Sequence, residues 1–520
     1  MTRAIVTIVL MLLLSAGTAT ADPISRRPGC WRTPPTRQKA AARLSSPKKE
    51  ATGKNPFEGT KRGLVILAQF TDTKFKTANN RDKYERILNE PGYTTTEGFR
   101  GSVSDYFRDQ SGGLFDLQFD VVGPYTAARR YSYYGRNDDD DNDEKAHELI
   151  AEMCLAADAD VNFADYDWDG DGEVEEVFVI YAGKSESDTY NSSYIYPHMW
   201  TLYEAGIGLL VLDDTVIDIY ACANEINSSG KINGIGTICH EFSHCMGLPD
   251  FYDITYSGEF GMGDFDLMSG GCYCGDGFCP VGYTAYEKMA CGWTVPIALG
   301  DEDVTVDSLQ PISQGGNTYI IYNDANHDEY YLIENRQKTG WDAYYPARGL
   351  MITHVDYNAE IWANNIPNSI LTQQEALKLE LTTGNDHQRM TLFHADNNDD
   401  KQYWNDLYGY HTKSTVTTDL YPYRQNDSLT TTSIPAATLF NSNSEGTRLM
   451  QGAILDIRQN SDKTMSFRYR ATTPVTDAIN EAPATPLPHR IFTLDGRVAG
   501  TRLESLPHGI YIINGRKIVR

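Results

Sequence analysis

The sequence lacks any apolar run long enough to span a membrane. Its longest, AIVTIVLMLLLSAG (Ala4–Gly17), falls short of the roughly 20 residues that a spanning helix requires. Arg3 precedes this run and an Ala-Thr-Ala segment follows it at 19–21, an arrangement typical of a secretory signal and its cleavage site. The sequence therefore predicts a signal peptide at residues 1–21 and a secreted or cell-surface protein, with no membrane span once the signal is removed.

Positive charge is also scarce. Lys and Arg together number 45 against 71 Asp and Glu, which gives a net charge of −26 at pH 7. A surface this acidic repels phosphate backbones, so nucleic acid is not an expected partner. The excess of carboxylates is instead suited to binding cations.

Cysteine is sparse and odd in number. Eight of the nine cysteines fall between Cys154 and Cys291, and Cys30 stands alone near the predicted mature N-terminus. In an exported protein this composition predicts up to four disulfide bonds, whose pairing the sequence leaves open. Cys239 and Cys245 are not expected to pair, because six residues of helix separate them by roughly 9 Å.

The chain is long enough for roughly three domains with cores of their own, at 520 residues of which 41% are hydrophobic. Strand-like and helix-like segments alternate at first and short alternating strands follow, which predicts an α+β fold with a later all-β sandwich. The predicted divisions are a propeptide or linker at 22–57, an α+β domain at 58–298, a β-sandwich at 299–470, a Pro- and Ala-rich linker at 471–490 and a small β-rich tail at 491–520.

Hydrophobic periodicity predicts the individual elements of the α+β domain. The predicted strands lie at 62–70, 114–123 and 173–183, and the predicted helices lie at 101–110, 141–158 and 232–247.

The last of these helices carries the motif HExxHxxGxxD. His240 and His244 lie one turn apart on the same helix face, so their imidazoles can bind one cation. Glu241 projects beside that cation and is expected to act as general base on a zinc-activated water. Gly247 can turn the chain so that Asp250 supplies a third ligand. Zinc is the expected ion because it accepts nitrogen and oxygen ligands and needs no redox chemistry.

A different zinc architecture takes its third ligand from a glutamate on a later helix. Glu259 and Glu287 are the candidates for that role. Glu259 lies in a Gly-rich segment that is a poor helix, and Glu287 has no supporting carboxylate one turn on. Asp250 is therefore preferred.

The segment DYDWDGDGEVEE (Asp165–Glu176) matches the calcium-loop pattern D-x-D-x-D-G-x5-E. In a shifted register Asp171 ligates instead and Glu175 closes the loop, and a solvated acidic turn is the alternative without a metal. The predicted calcium ligands are Asp165, Asp167, Asp169, Asp171 and Glu176.

The motif and FDLMSGG (Phe265–Gly271) together resemble the metzincin zinc proteases. The aspartate at the third-ligand position, with RGLVILAQFTDTKF, SVSDYFRDQSGG and EYYLIENRQ, is similar to the immune inhibitor A family of secreted metallopeptidases over about residues 62–470. The resemblance implies a metzincin-like catalytic domain that cleaves protein or peptide substrates. It also implies the following roles: His240, His244 and Asp250 on zinc, Glu241 as base, and Met268 in a Met-turn beneath the metal.

Two further roles stay open at this point. Tyr273 or Tyr283 could assist the oxyanion, and the sequence does not choose between them. Cys30 is either a thiolate switch that coordinates zinc in a zymogen or a bystander thiol in a discarded leader, and the bystander is favoured.

The tail contains LDGR and LPHGIYIINGRK, which resemble the C-terminal sorting segments of the type IX secretion route. That resemblance implies the secretion machinery as a partner, whereas a β-hairpin cap on the sandwich is the alternative.

The function predicted from the sequence is a secreted, calcium-supported zinc endopeptidase. The main alternative is a surface adhesin or glycan-binding protein that uses the β-sandwich, and a zinc hydrolase acting on a non-peptide bond is another. The intact HExxHxxGxxD motif favours the peptidase, because a module kept only for binding does not need Glu241.

Overall fold

The computed structural model describes residues 31–32, 55–138, 143–255, 257–378, 384–401, 403–405, 409–411, 415–471, 491–493, 498–500, 506–507, 510–513 and 516–519. The predicted signal peptide with its cleavage site, Cys30, most of the predicted propeptide and the predicted linker after Ala471 lie outside the described residues. Within the described part of the chain, no helix combines the length and apolar character needed to cross a membrane.

The secondary structure is mixed, as predicted. In chain order the strands are β1 (Trp31–Arg32), β2 (Gly59–Gln69), β3 (Phe115–Thr126), β4 (Val177–Tyr181), β5 (His198–Thr201), β6 (Leu209–Leu212), β7 (Thr215–Ile217), β8 (Ile219–Asn224), β9 (Ile297–Ala298), β10 (Val304–Leu309), β11 (Tyr319–Tyr322), β12 (Glu329–Arg336), β13 (Gly349–Asp356), β14 (Met390–Leu392), β15 (Tyr403–Asn405), β16 (Gly409–His411), β17 (Ala453–Gln459), β18 (Met465–Arg470), β19 (Ile491–Thr493), β20 (Val498–Gly500), β21 (Ile510–Ile513) and β22 (Arg516–Val519). The α-helices are α1 (Arg81–Asn89), α2 (Val103–Gln110), α3 (Tyr131–Tyr134), α4 (Ala146–Ala157), α5 (Glu186–Thr189), α6 (Gly236–Cys245), α7 (Ala285–Ala290), α8 (Ala359–Ala363) and α9 (Gln373–Lys378).

The chain divides into two compact units. The first comprises residues 1–283, 340–345 and 359–388, and the second comprises 284–339, 346–358 and 389–520. The segment 359–388 lies within the span predicted to be the β-sandwich, but it belongs to the first unit and carries α8 and α9 instead of strands.

The first unit is built on a five-stranded sheet with the order β3-β2-β4-β8-β5. The first four of these strands run parallel to their neighbours, and β5 pairs antiparallel with β8 at one edge. The central strand β2 contains the continuous apolar run GLVILA, which is buried from Leu64 to Ala68. A run that is apolar on both faces is expected for a parallel strand covered on both sides.

The helices of this unit follow from local sequence signals. Helix α2 begins after Ser102, whose side chain accepts from the backbone of Asp105 while the Asp105 carboxylate accepts from Ser102, a complete capping box. Helix α4 buries Leu149, Ile150 and Met153 in the same apolar cluster as the inner strands. All six elements predicted for this region are present, with ends that differ by a few residues.

The second unit contains two main sheets. Strands in the order β14-β13-β12-β11-β9 form one, and β10-β18-β17 form the other. Alternating residues of both sheets, such as Ile333 and Ile352 in the first and Ile454 and Phe467 in the second, belong to one buried apolar cluster.

Three smaller sheets complete the strand pairing. Strands β6 and β7 form a hairpin whose outer edge pairs with Trp31–Arg32, two residues of the predicted propeptide. Strands β15 and β16 form a second pair, and the tail strands form an antiparallel sheet in the order β20-β19-β21-β22.

The disulfide prediction is not borne out among the described cysteines, because none of the eight forms a disulfide bond. Several lie in different elements, with Cys154 on α4, Cys222 on β8 and Cys239 on α6. Six of the eight are buried, and burial raises the pKa of Cys154 to about 12. A thiol with a pKa this high is a poor nucleophile and behaves as a small apolar side chain.

Candidate active site

The candidate site lies on α6 and the chain that follows it. Helix α6 ends at Cys245, and Gly247 adopts a left-handed conformation with φ of 87°. A residue with a Cβ would be strained there, so glycine permits the turn that the sequence predicted. The chain then returns past the end of the helix and carries Asp250 to His240 and His244.

Three potential ligand atoms converge at this point. Asp250 Oδ1 lies 3.1 Å from His240 Nε2 and 3.3 Å from His244 Nε2. Ligand atoms that are about 2.0–2.1 Å from a tetrahedral zinc ion lie about 3.3 Å from one another. Asp250 is 1% exposed, and its Oδ1 accepts no hydrogen bond of acceptable geometry from the described residues. The donor set, its spacing and this buried acceptor all fit a zinc ion.

Both imidazoles are held by backbone carbonyls. His240 Nδ1 is 2.9 Å from the Leu267 carbonyl oxygen, and His244 Nδ1 is 2.8 Å from the Leu248 carbonyl oxygen. A carbonyl oxygen can only accept, so in the neutral form of each ring Nδ1 carries the proton and Nε2 keeps the lone pair that can bind a cation.

The Asp250 carboxylate is oriented by Asn365. Asn365 Nδ2 donates to Asp250 Oδ2 over 2.7 Å, and the Asp250 amide donates to Asn365 Oδ1 over 2.6 Å. This pair of hydrogen bonds occupies Oδ2 and leaves Oδ1 directed at the imidazoles. No sequence pattern pointed to Asn365, which lies 115 residues after Asp250 in the chain.

The electrostatics of the three side chains are strongly coupled. Burial raises the pKa of the Asp250 carboxyl, but His244 and His240 outweigh burial and hold this pKa well below its usual range. Burial lowers the pKa of His240, and the contact with Asp250 reverses that shift, so its pKa stands well above the ordinary value. Positive charge is therefore favoured at this point in the structure.

Glu241 lies on the same helix and is 7% exposed. Burial raises the pKa of its carboxyl, and the two neighbouring imidazoles act in the opposite direction. Among the described residues its carboxylate is outside the group of converging ligand atoms, which is the placement that a proton acceptor beside a metal requires.

The predicted Met-turn segment passes close to the site. Met268 is fully buried, and its carbonyl oxygen accepts from the amide of Phe251, the residue after Asp250, over 2.7 Å. The adjacent Leu267 supplies the carbonyl that holds His240. Two successive carbonyl groups of this turn therefore position the His240 ring and the backbone that follows Asp250.

The two candidate tyrosines occupy different surroundings. Tyr283 is fully buried, and its hydroxyl hydrogen-bonds with Ser243 on α6. Tyr273 is 63% exposed. The structure therefore places Tyr283 beneath the helix and Tyr273 at the surface.

The alternative third ligands are engaged elsewhere. Glu259 Oε2 accepts from Gln388 Nε2 over 3.1 Å. Glu287 forms a capping box with Thr284 at the start of α7. Neither glutamate belongs to the group formed by His240, His244 and Asp250.

The predicted calcium loop brings together Asp167, Asp169 and Glu175, whose ligand atoms lie within 4.8 Å of one another. Gly170 and Gly172 both have a positive φ, at 78° and 87°, and allow the loop to close.

Three other predicted calcium ligands lie outside this cluster. Asp165 pairs with Arg62, and Asp171 is exposed and accepts from the backbone of Glu173. Glu176 is 4% exposed, and burial holds the pKa of its carboxyl well above the usual range. Its side chain contacts Cys245 on α6 instead of facing the loop.

Comparison with known proteins identifies a related family. Residues 60–290 match the family model described as immune inhibitor A peptidase M6, catalytic domain. This span contains His240, His244, Asp250 and Met268 but not Asn365. The family resemblance inferred from the motifs is thereby confirmed for residues 60–290.

Two curated relatives are similar to part of the chain. The pre-pro-metalloprotease PrtV of Vibrio cholerae is 26% identical over 282 residues, covering 44% of this chain and 29% of that protein. Immune inhibitor A of Bacillus thuringiensis subsp. alesti is 24% identical over 268 residues, covering 43% of this chain and 38% of that protein. The chain thus spans less than two-fifths of the length of these relatives.

Proposed function

We propose that this chain, whose residues 60–290 form a catalytic domain of the immune inhibitor A metallopeptidase type, is a zinc-dependent endopeptidase. The observation that carries the proposal is the convergence of His240 Nε2, His244 Nε2 and Asp250 Oδ1 at mutual distances suited to one tetrahedral ion. The backbone carbonyls of Leu248 and Leu267 support it, because they set both imidazoles in the ligating tautomer.

We infer that His240, His244 and Asp250 hold the metal and that Glu241 is the general base. A bound zinc ion supplies Lewis-acid chemistry that polarises a peptide carbonyl and makes water acidic enough to react near neutral pH. Glu241 takes the proton from the attacking water and delivers it to the leaving amine. Glu241 enters this step as a carboxylate, and burial raises its pKa, which strengthens it as a base.

The substrates on this proposal are proteins or peptides, and the site of action is outside the cell. The names of the two relatives, a pre-pro-metalloprotease and an immune inhibitor, support a precursor that is exported and processed. We extend the proposal to a metzincin-type catalytic domain, a β-sandwich formed by the two sheets of the second unit, and a sorting role for residues 491–520. The adhesin alternative is less favoured, because a complete set of metal ligands and a base serves no purpose in glycan binding.

Metal removal gives the most direct test. We expect casein hydrolysis by the activated full-length protein to be lost when a zinc-selective chelator is added. Zinc should restore it and magnesium should not, because imidazole ligands favour zinc over a hard cation. A calcium-selective chelator is the control, and clearing of casein that survives zinc removal contradicts the proposal.

We also propose that Asp167, Asp169 and Glu175 bind calcium. Their carboxylates lie together in a loop closed by two glycines, and oxygen ligands in such a loop suit a calcium ion. The ion would stabilise the segment that leads directly into β4 of the central sheet.

Thermal unfolding of the full-length protein tests this site. We expect the dissociation constant for calcium to lie in the millimolar range of extracellular modules. Free calcium at about 100 times that constant stabilises the folded state by about 2.7 kcal/mol. We expect added calcium to raise the midpoint temperature of thermal unfolding by several degrees in the wild type. The Asp167→Asn variant should show no such rise. Asp165→Asn is the matched control, since this carboxylate pairs with Arg62, and loss of the response in that variant alone would contradict the assignment.

A further inference from the structure

A second cluster of ligand-type side chains lies in the second unit. His394, Asp400 and Asp419 each present one potential ligand atom, and these atoms lie within 4.8 Å of one another. His394 Nδ1 is 3.2 Å from Asp419 Oδ2 and 3.9 Å from Asp400 Oδ2. The three residues come from the chain after β14 and from the end of a short 3-10 helix at Val416–Thr418.

The two carboxylates of this cluster are buried and short of donors. Asp419 is fully buried and Asp400 is 1% exposed. Both carboxylate oxygens of Asp419, and Oδ2 of Asp400, accept no hydrogen bond from the described residues. A buried carboxylate without donors costs several kcal/mol in a protein interior, so the arrangement calls for a positive partner.

Asp400 is held so that one oxygen points into the cluster. Its Oδ1 accepts from the Thr415 amide over 2.7 Å and from Asn398 Nδ2 over 3.1 Å. Its backbone has a φ of 50°, in the left-handed region that few residues other than glycine adopt. Burial raises the pKa of Asp400 to about 6, and the neighbouring Asp419 adds to the rise. The fold thus keeps this carboxylate in place at an energetic cost.

Another aspartate of the same loop shows the contrast. Asp396 accepts from the Asn398 amide over 2.9 Å and from Thr418 Oγ1 over 2.6 Å, one donor for each oxygen. The loop is therefore able to satisfy a carboxylate with its own donors. Among the described residues of this loop, the buried carboxylate oxygens that lack hydrogen-bond donors belong to Asp400 and Asp419, which lie beside His394.

We propose that His394, Asp400 and Asp419 bind a divalent transition cation, of which zinc is the representative. One imidazole with two carboxylates is a donor set that zinc and manganese accept, whereas calcium and magnesium prefer oxygen alone. The ion takes a structural role, because it joins the segment that begins at His394 to the segment that ends at Asp419. The Ala395 amide donates to the Asp419 carbonyl oxygen over 2.7 Å, and this backbone hydrogen bond already brings the two segments side by side.

Native mass spectrometry of the full-length protein, equilibrated with zinc in excess calcium, counts the ions. We expect two zinc ions per chain in the wild type and one in both Asp419→Asn and His394→Gln. Calcium fills the acidic loop of the first unit and keeps zinc out of the count there. Asp399→Asn is the matched control, since Asp399 is the exposed neighbour of Asp400, and it should keep two ions.

Two outcomes overturn the inference: one zinc ion in the wild type, or two retained in both cluster variants. If Asp419→Asn does not fold, the wild-type count and His394→Gln still decide. His240→Gln separates the two sites, since it should remove the other ion. A wild-type count of one that falls to none in His240→Gln refutes the second site and leaves the proposed function intact.

Discussion

Replacing Glu241 by glutamine is expected to lower kcat/KM for peptide hydrolysis by about 10³-fold, the middle of the range for loss of a general base. The amide has nearly the same shape, so the packing of this buried side chain on α6 is kept. It cannot accept the proton that peptide hydrolysis must move from water to the leaving amine. Zinc content should equal that of the wild type, because Glu241 is outside the group of converging ligand atoms.

The decisive measurement is a pair of values, turnover and metal content, on identically activated protein. Glu58→Gln is the matched control, since Glu58 is an exposed glutamate at the edge of the same unit and should retain wild-type turnover. Loss of zinc together with activity in Glu241→Gln would make the residue a ligand. Retention of both would remove it from the mechanism.

Replacing Asn365 by glycine is expected to weaken zinc binding by about 10–100-fold, the usual effect of removing a group that orients a metal ligand. The side chain both donates to Asp250 Oδ2 and accepts from the Asp250 amide, so without it the carboxylate is free to rotate. Asn365 has a φ of 57°, and glycine adopts this conformation without strain. The substitution therefore removes the contact while keeping the backbone.

A small series of variants sharpens this test, with competition against a zinc chelator as the readout. Asn365→Asp keeps the acceptor for the Asp250 amide and removes the donor to Asp250 Oδ2, so it separates the contributions of the two hydrogen bonds. Asn364→Gly is the matched control, since Asn364 donates to the Glu360 carbonyl instead. Wild-type zinc affinity in Asn365→Gly would show that Asp250 needs no support.

The core of the site could be predicted from sequence because it is local. Two histidines four residues apart on a helix share a face whatever the rest of the fold does, and a glycine three residues later permits the turn. The structure accordingly brings His240, His244 and Asp250 together within one short segment. The central strand β2 was predictable for a similar reason, since a continuous apolar run fits a parallel strand with two covered faces.

The remaining features depend on long-range packing that no local pattern encodes. Asn365 reaches Asp250 from the turn that follows α8, far along the chain. Adjacent residues at the start of a strand point to opposite sides, so the sequence could not decide whether Glu175 or Glu176 faces the calcium loop. Disulfide pairing likewise requires distances between elements, and none of the eight described cysteines forms a disulfide bond.

The anchors of the two imidazoles have a consequence for how this protein can change. They are main-chain oxygens at Leu248 and Leu267, which every amino acid possesses. Point substitutions at those positions that preserve the backbone path cannot delete the anchors, so laboratory evolution can vary the apolar lining there while the histidines keep their orientation. Mutational vulnerability is thereby shifted to supports that depend on a particular side chain, such as Asn365, which a single codon change can erase.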